Sequence, residues 1–438
     1  MRKFTRISAI AAMAAALALA TTSCSSGTPT QAAASGSSTE KVTLTYWGGN
    51  NIDKIAADWN KTHPNVQVKA VALTNGAPAT TKLLTAIKAG NGAPDVMSTE
   101  YYNLPLLVSQ NALADVSKEG ASSLESTYSK STWDAVTLGG HTVYGLPGDI
   151  GPMMFYYRKD VFKKLGLSVP TTWDEYAAAA KKIHGADSSQ YLGTFTGADG
   201  SVFAALTQQL GSSWYGTSGG AWTVNINSAA NQKVAKYWGD LVQQGVIDNQ
   251  PFFTPQWNSG LAKGTQVGWI APVWGAGVIG SSAPKTKGDW AAAPMPVWDK
   301  SKPASGNWGG QAFVVPAQSK HQQQAYEFAK WVTSSADGLK SFVTNAGVYP
   351  AATNKQGSTS TPPAFLSDQS DFYDIAQKSA DETPAVTFGP NVNVAYNSYV
   401  DSFGSAVKSK QSANFVSALA AMQSTTVSDL KKSGFTVK

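Results

Sequence analysis

Residues 41–97 read KVTLTYWGGNNIDKIAADWNKTHPNVQVKAVALTNGAPATTKLLTAIKAGNGAPDVM, and their patterning decides the fold class. Residues 42–47 (VTLTYW) form a short β-rich run. Ile52, Ile55, Ala56 and Trp59 then recur at helical spacing, which makes one face of a helix apolar. Pro64 stops that helix, because proline lacks the backbone donor and disfavours helical geometry in the residue before it. Val66, Val68 and Ala70 alternate as a second strand. Leu83, Leu84 and Ile87 mark a second helix, closed by Gly90-Asn91-Gly92, and residues 94–97 supply a third strand. Alternation of strand and helix with short connections predicts an α/β fold, its strands parallel and its helices on the sheet faces. In such sheets ligands sit beyond the carboxyl ends of the strands. Trp47-Gly48-Gly49-Asn50 and Ser98-Thr99-Glu100-Tyr101 occupy that position.

Downstream, Leu138-Gly139-Gly140-His141 reads as a two-residue hairpin turn. Amphipathic helices are expected over residues 173–183, 228–244 and 322–333. The body of about 400 residues is long enough for two or three cores.

Upstream, Arg2, Lys3 and Arg6 precede fourteen uncharged residues, 7–20. A bilayer core needs about 20 helical residues, so this stretch is too short to span one. A basic start, a short apolar middle and small residues after it describe an export signal, residues 1–23. It ends at Cys24, the one cysteine of the chain. A lone cysteine in a secreted chain has no internal disulfide partner. Thr21-Thr22-Ser23-Cys24 resembles a lipoprotein cleavage box, with threonine where leucine is usual, which implies an acylated Cys24. Residues 24–40 are then a small, polar tether spanning roughly 20–25 Å. With Arg2, Lys3 and Arg6 removed, 34 basic residues become 31 against 28 acidic ones, and the formal charge falls from +6 to +3. That is too mild to indicate nucleic acid.

Motifs for chemistry fail on context. Gly275, Gly277 and Gly280 match G-x-G-x-x-G, but Pro284 cuts short the helix a dinucleotide would need; a turn opening a short helix is expected. Gly216, Ser218 and Gly220 match G-x-S-x-G without the apolar strand of a nucleophile elbow; a Gly/Ser loop between aromatics is expected. His63, His141, His184 and His321 lack metal spacing. No catalytic residue, cofactor or metal is therefore assigned. A glycosidase pair of carboxylates cannot be placed from sequence, so a carbohydrate-active hydrolase stands as the enzymatic alternative. What stands out is aromatic content: 14 Trp, 16 Tyr and 16 Phe. Trp47, Trp214, Trp222, Trp257, Trp274, Trp298 and Trp308 lie in polar, glycine-rich surroundings, suited to stacking on the C–H face of a sugar. Trp59, Trp173, Trp238 and Trp331 lie on helix faces and read as core.

The run Tyr156-Tyr-Arg-Lys-Asp160-Val-Phe-Lys-Lys-Leu-Gly166-Leu-Ser-Val-Pro170-Thr-Thr-Trp173-Asp-Glu resembles the signature of family 1 extracellular solute-binding proteins of carbohydrate ABC importers. Ala93–Val96, Gly145-Leu-Pro147, Leu261–Gly264, Gly309–Pro316, Ala325–Phe328 and Gly347–Pro350 support it in order and spacing. The resemblance implies a two-lobed, periplasmic-binding-protein-like (type II) fold with a hinge and an inter-lobe cleft. The N-lobe would be 41–148 and 308–345, and the C-lobe 149–307 and 346–438. Carried over, ligand contacts fall on Trp47, Asn50, Glu100, Tyr101, Asp149, Trp214, Trp257, Trp274, Trp308, Gly309, Gly310, Tyr349, Asn391 and Tyr396. The implied function is capture of a neutral oligosaccharide of two to four units by a monomer held to the outer membrane face through Cys24. Transmembrane subunits of an importer would be its partners. A binding-only sugar sensor is the further alternative.

Overall fold

In a computed structural model the described residues are 41–49, 51–74 and 76–438. The export signal, the tether, Cys24 and Asn50 lie outside them. The first lobe is built on a five-stranded sheet. Val42–Gly48 pairs in parallel with Val66–Ala72 on one side and Val96–Glu100 on the other. Gln311–Val314 adds antiparallel to Val96–Glu100, and Leu146–Pro147 closes the edge. The helix Ile52–Thr62 buries Ile52, Ile55, Ala56 and Trp59, the face its spacing marks.

The second lobe has a three-stranded antiparallel sheet, Met153–Arg158 between Trp290–Pro294 and Gly268–Pro272. Trp173–Ala186 shares its core, Phe372–Asp381 packs on two of its strands, and Ser412–Lys432 packs against Ala229–Gln243 and Val392–Ser409. Thr172 caps the first of these in a full capping box with Glu175, which satisfies backbone donors reciprocally. Two separate cores result. One gathers residues between Val42 and Leu146 with Ala312–Ala352; the other gathers Met153–Trp308, Tyr349 and Phe365–Leu430. Trp308 packs in the second core, and Val348, Ala351 and Ala352 in the first.

Three chain segments join the lobes. Asp149–Ile150 and Tyr349–Pro350 pair antiparallel as a two-stranded ribbon. The third, through Asn307 and Trp308, lies against the first: Trp308 N–H donates to Gly151 O at 2.9 Å. A Cβ on Gly151 would stand 2.0 Å from the Trp308 carbonyl oxygen, so only glycine lets the backbones meet. All of 41–438 forms one unit.

Two turns differ from expectation. Leu138-Gly139-Gly140-His141 is a helix end and not a hairpin: Lys130–Thr137 closes on Leu138 in the left-handed region, and Gly139 N–H donates to Asp134 O. Conversely, the Gly216–Gly220 stretch is a hairpin, Tyr215–Ser218 against Ala221–Val224. Gly219 (φ 57°) and Gly220 (φ 77°) supply the two positive-φ residues such a tight turn requires. Gly275–Ser282 is a short helix, as the truncated glycine motif suggests.

Candidate functional site, an inter-lobe cleft

A cleft lies where the lobes meet, lined by Tyr102, Ser201, Gln208, Trp214, Asn307, Gly309, Phe388 and Tyr396 among others. Tyr102 comes from the first lobe, in the turn after Val96–Glu100. It meets Tyr396 edge-on at 5.3 Å and Phe388 at 6.3 Å from the second. Trp214 stands edge-on to Tyr396 at 5.9 Å, its indole N–H donating to Thr207 Oγ1. The hinge forms the back wall. Asn307 accepts from Gly151 N–H at 2.7 Å, donates to Gly309 O at 2.8 Å, and donates its backbone N–H to Gln208 Oε1 at 2.9 Å.

Two half-buried carboxylates, Glu100 and Asp199, approach this region from opposite lobes. Glu100 Oε2 accepts from Gly76 N–H and Asn103 Nδ2. Asp199 caps the helix Gly200–Gln208, its Oδ1 accepting from Ser201 N–H and the Ser201 hydroxyl. Ser201 Oγ in turn accepts from Trp308 Nε1 at 2.9 Å. Burial raises both carboxyls above the usual carboxylate range, and the charge of Asp199 adds to the shift at Glu100. Carboxylate oxygens are acceptors suited to hydroxyl donors.

Of the expected contacts, Trp214, Gly309 and Tyr396 line the cleft and Glu100 borders it. Trp274 is half-buried, 4.8 Å from Trp308, and a Cβ on Gly309 would lie 3.6 Å from its indole nitrogen. Gly309 (φ 88°) and Gly310 (φ 94°) need the freedom of glycine. The remaining residues are buried on protein partners. Lys82 sits over the Trp47 ring at 4.4 Å. Tyr101 Oη donates to Asp149 O, and Asp149 Oδ1 accepts from Gln311 N–H. Trp257 lies on a helix, 1% exposed, donating to Thr194. Tyr349 donates to Gln377. Asn391 holds Thr426, Asp429 and Tyr215. Trp222 and Trp298 pack against the second core. Trp59, Trp173 and Trp238 are core residues as expected, while Trp331 is half-buried.

Sequence reasoning missed Tyr102, Asp199, Ser201, Asn307 and Phe388. Asp199-Gly200-Ser201 reads only as a helix start, and nothing local marks its second use.

Two lobes on crossing strands with a cleft between them define a type II solute-binding fold. The chain belongs to the bacterial extracellular solute-binding protein family, whose model matches residues 48–338. It is 27% identical over 323 residues to an arabinooligosaccharide-binding protein of Bacillus subtilis (strain 168), covering 70% of this chain and 72% of that one. Among solved structures, an ABC transporter associated binding protein from B. animalis subsp. lactis Bl-04 in complex with beta-1,6-galactobiose superposes with a TM-score of 0.82. It is 29% identical and the match covers 91% of this chain and 100% of that one. The galacto-N-biose-/lacto-N-biose I-binding protein of the Bifidobacterium longum ABC transporter, in complex with lacto-N-biose, gives 0.78 at 26% identity, covering 91% and 99%.

Proposed function

We propose that this protein captures a neutral oligosaccharide of two to four units by lobe closure and delivers it to the transmembrane subunits of an ABC importer, as a monomer tethered to the outer membrane face through acylated Cys24. One observation carries the ligand class. Aromatic faces (Tyr102, Trp214, Tyr396) line the cleft, and Glu100 and Asp199, one carboxylate from each lobe, lie near enough to Tyr396 for their charges to act on it. Aromatic faces suit sugar C–H surfaces, and the carboxylates suit hydroxyls. The sugars bound by the relatives above support the same class. Closure would be rotation about the crossing strands, the hinge type of domain motion.

The facing carboxylates, with raised pKa, also resemble what a glycoside hydrolase needs. Calorimetry of residues 41–438 against arabino-, galacto- and milk oligosaccharides, with chromatography afterwards, separates the two. One-to-one binding of an unaltered sugar supports capture; shortened products support hydrolysis; silence across the panel removes the sugar assignment.

A further inference from the structure

Phe253 combines two properties that a bulky side chain seldom has together. Its φ of 65° lies in the left-handed region, where Cβ crowds the following carbonyl and an aromatic residue is an outlier. Its side chain is also 47% exposed. The ring also packs on Trp257 at 5.8 Å and Trp269 at 6.1 Å, but other groups hold the turn itself. Thr254 pins the turn, its hydroxyl donating to Pro251 O and accepting from Trp257 N–H to cap the next helix. Phe252 supplies the apolar anchor, buried among Trp257, Trp269 and Trp308. Glycine at 253 would make the same turn without strain.

The Phe253 ring stands 6.1 Å from Trp274 and 6.2 Å from Trp308. Those two indoles meet each other and adjoin Gly309, a cleft residue, while Trp308 is tied to Ser201, another. The ring is thus the exposed end of an aromatic row that begins at the cleft wall. Strain retained in the native state points to a use beyond packing.

We propose that Phe253 extends the sugar site beyond Trp274, stacking on the C–H face of a terminal unit, and so sets a preference for longer chains. This rests on the carbohydrate reading of the cleft. The test compares wild type, Phe253→Gly, Phe253→Tyr and Phe253→Leu by calorimetry. The probes are β-1,6-galactobiose and -galactotetraose and α-1,5-arabinobiose and -arabinotetraose, with melting of each unliganded protein. Phe253→Gly is expected to lose about fivefold in affinity for a tetrasaccharide, the scale of one aromatic contact, with little change for the disaccharide. Its melting temperature should change little, relieved strain offsetting the lost contacts with Trp257 and Trp269. Phe253→Tyr should retain the tetrasaccharide preference and Phe253→Leu should not. Equal losses at both lengths with a lower melting temperature would make the ring a packing element and overturn the proposal. Unchanged affinities would overturn it while leaving the cleft assignment standing. If wild type binds none of the four sugars, the proposal and the carbohydrate reading fall together.

Discussion

The side-chain amide of Asn393 donates to Asn103 Oδ1 at 3.0 Å, a bond between the lobes made at the cleft and not at the hinge. Asn103 also holds Glu100 Oε2 and Thr99 Oγ1. Beside it, Tyr102 meets Phe388 and Tyr396. Together these contacts form a clasp that exists only while the lobes touch. Removing one such bond, of about 1 kcal/mol, shifts closure toward opening. Asn393→Ala should therefore weaken binding about fivefold, by a similar factor for every sugar and mainly through faster release, as followed by stopped-flow tryptophan fluorescence.

Trp274 is the half-buried indole nearest the glycine pair of the hinge. If it is the main stacking ring, Trp274→Ala should cost on the order of 2 kcal/mol, roughly 30-fold in affinity. A calorimetric loss under about threefold would remove it from the contact set.

Asp149 is 2% exposed, and burial pushes its carboxyl up to about 8. Its folded value exceeds its unfolded one, so the folded state holds the proton more tightly. The penalty is absent below about pH 4, grows as pH rises toward 8, and is complete above that. Asp149→Asn keeps an oxygen for the Gln311 N–H while removing the titration. Melting temperatures of the variant should exceed wild type at pH 8 to 9 and converge with it near pH 4.

Glu100 and Asp199 are raised by burial. Sugar hydroxyls donating to them would favour the ionised forms, so binding should release protons and affinity should rise with pH through their titration. Calorimetry in two buffers of different ionisation enthalpy, repeated from acid to neutral pH, measures that release directly, and no difference between buffers at any pH would place the hydroxyl acceptors elsewhere.

Cys24→Ser should move the protein from the membrane fraction to the medium, read by fractionation of expressing cells. A protein that stays with the membrane would require another anchor.

The first lobe was legible because its strands and helices carry clean periodicities, and the parallel order of Val42–Gly48, Val66–Ala72 and Val96–Glu100 follows from them. The glycine turns were harder, since Gly139-Gly140 and Gly219-Gly220 offer the same local signal. What separates them is what flanks them: a helix at Lys130–Thr137 in one case, two strands in the other. Tryptophan placement misled most. Polar neighbours suggested a loop at Trp257, yet Pro255 and the Thr254 cap open a helix that turns the indole inward. Asp199 and Tyr102 become site residues only through contacts far along the chain, such as Tyr102 with Tyr396, and no short window contains both partners.

The backbone contact between Gly151 and Trp308 leaves the crossing segments no slack along their length. A contact this close disfavours sliding of the lobes past each other and favours rotation about that point. Closure about such a pivot would be described by a single angle, and the gap at the far rim would follow it. A pair of dyes across that rim would turn the protein into a gauge whose colour reports occupancy, with its pivot set by one missing methyl group.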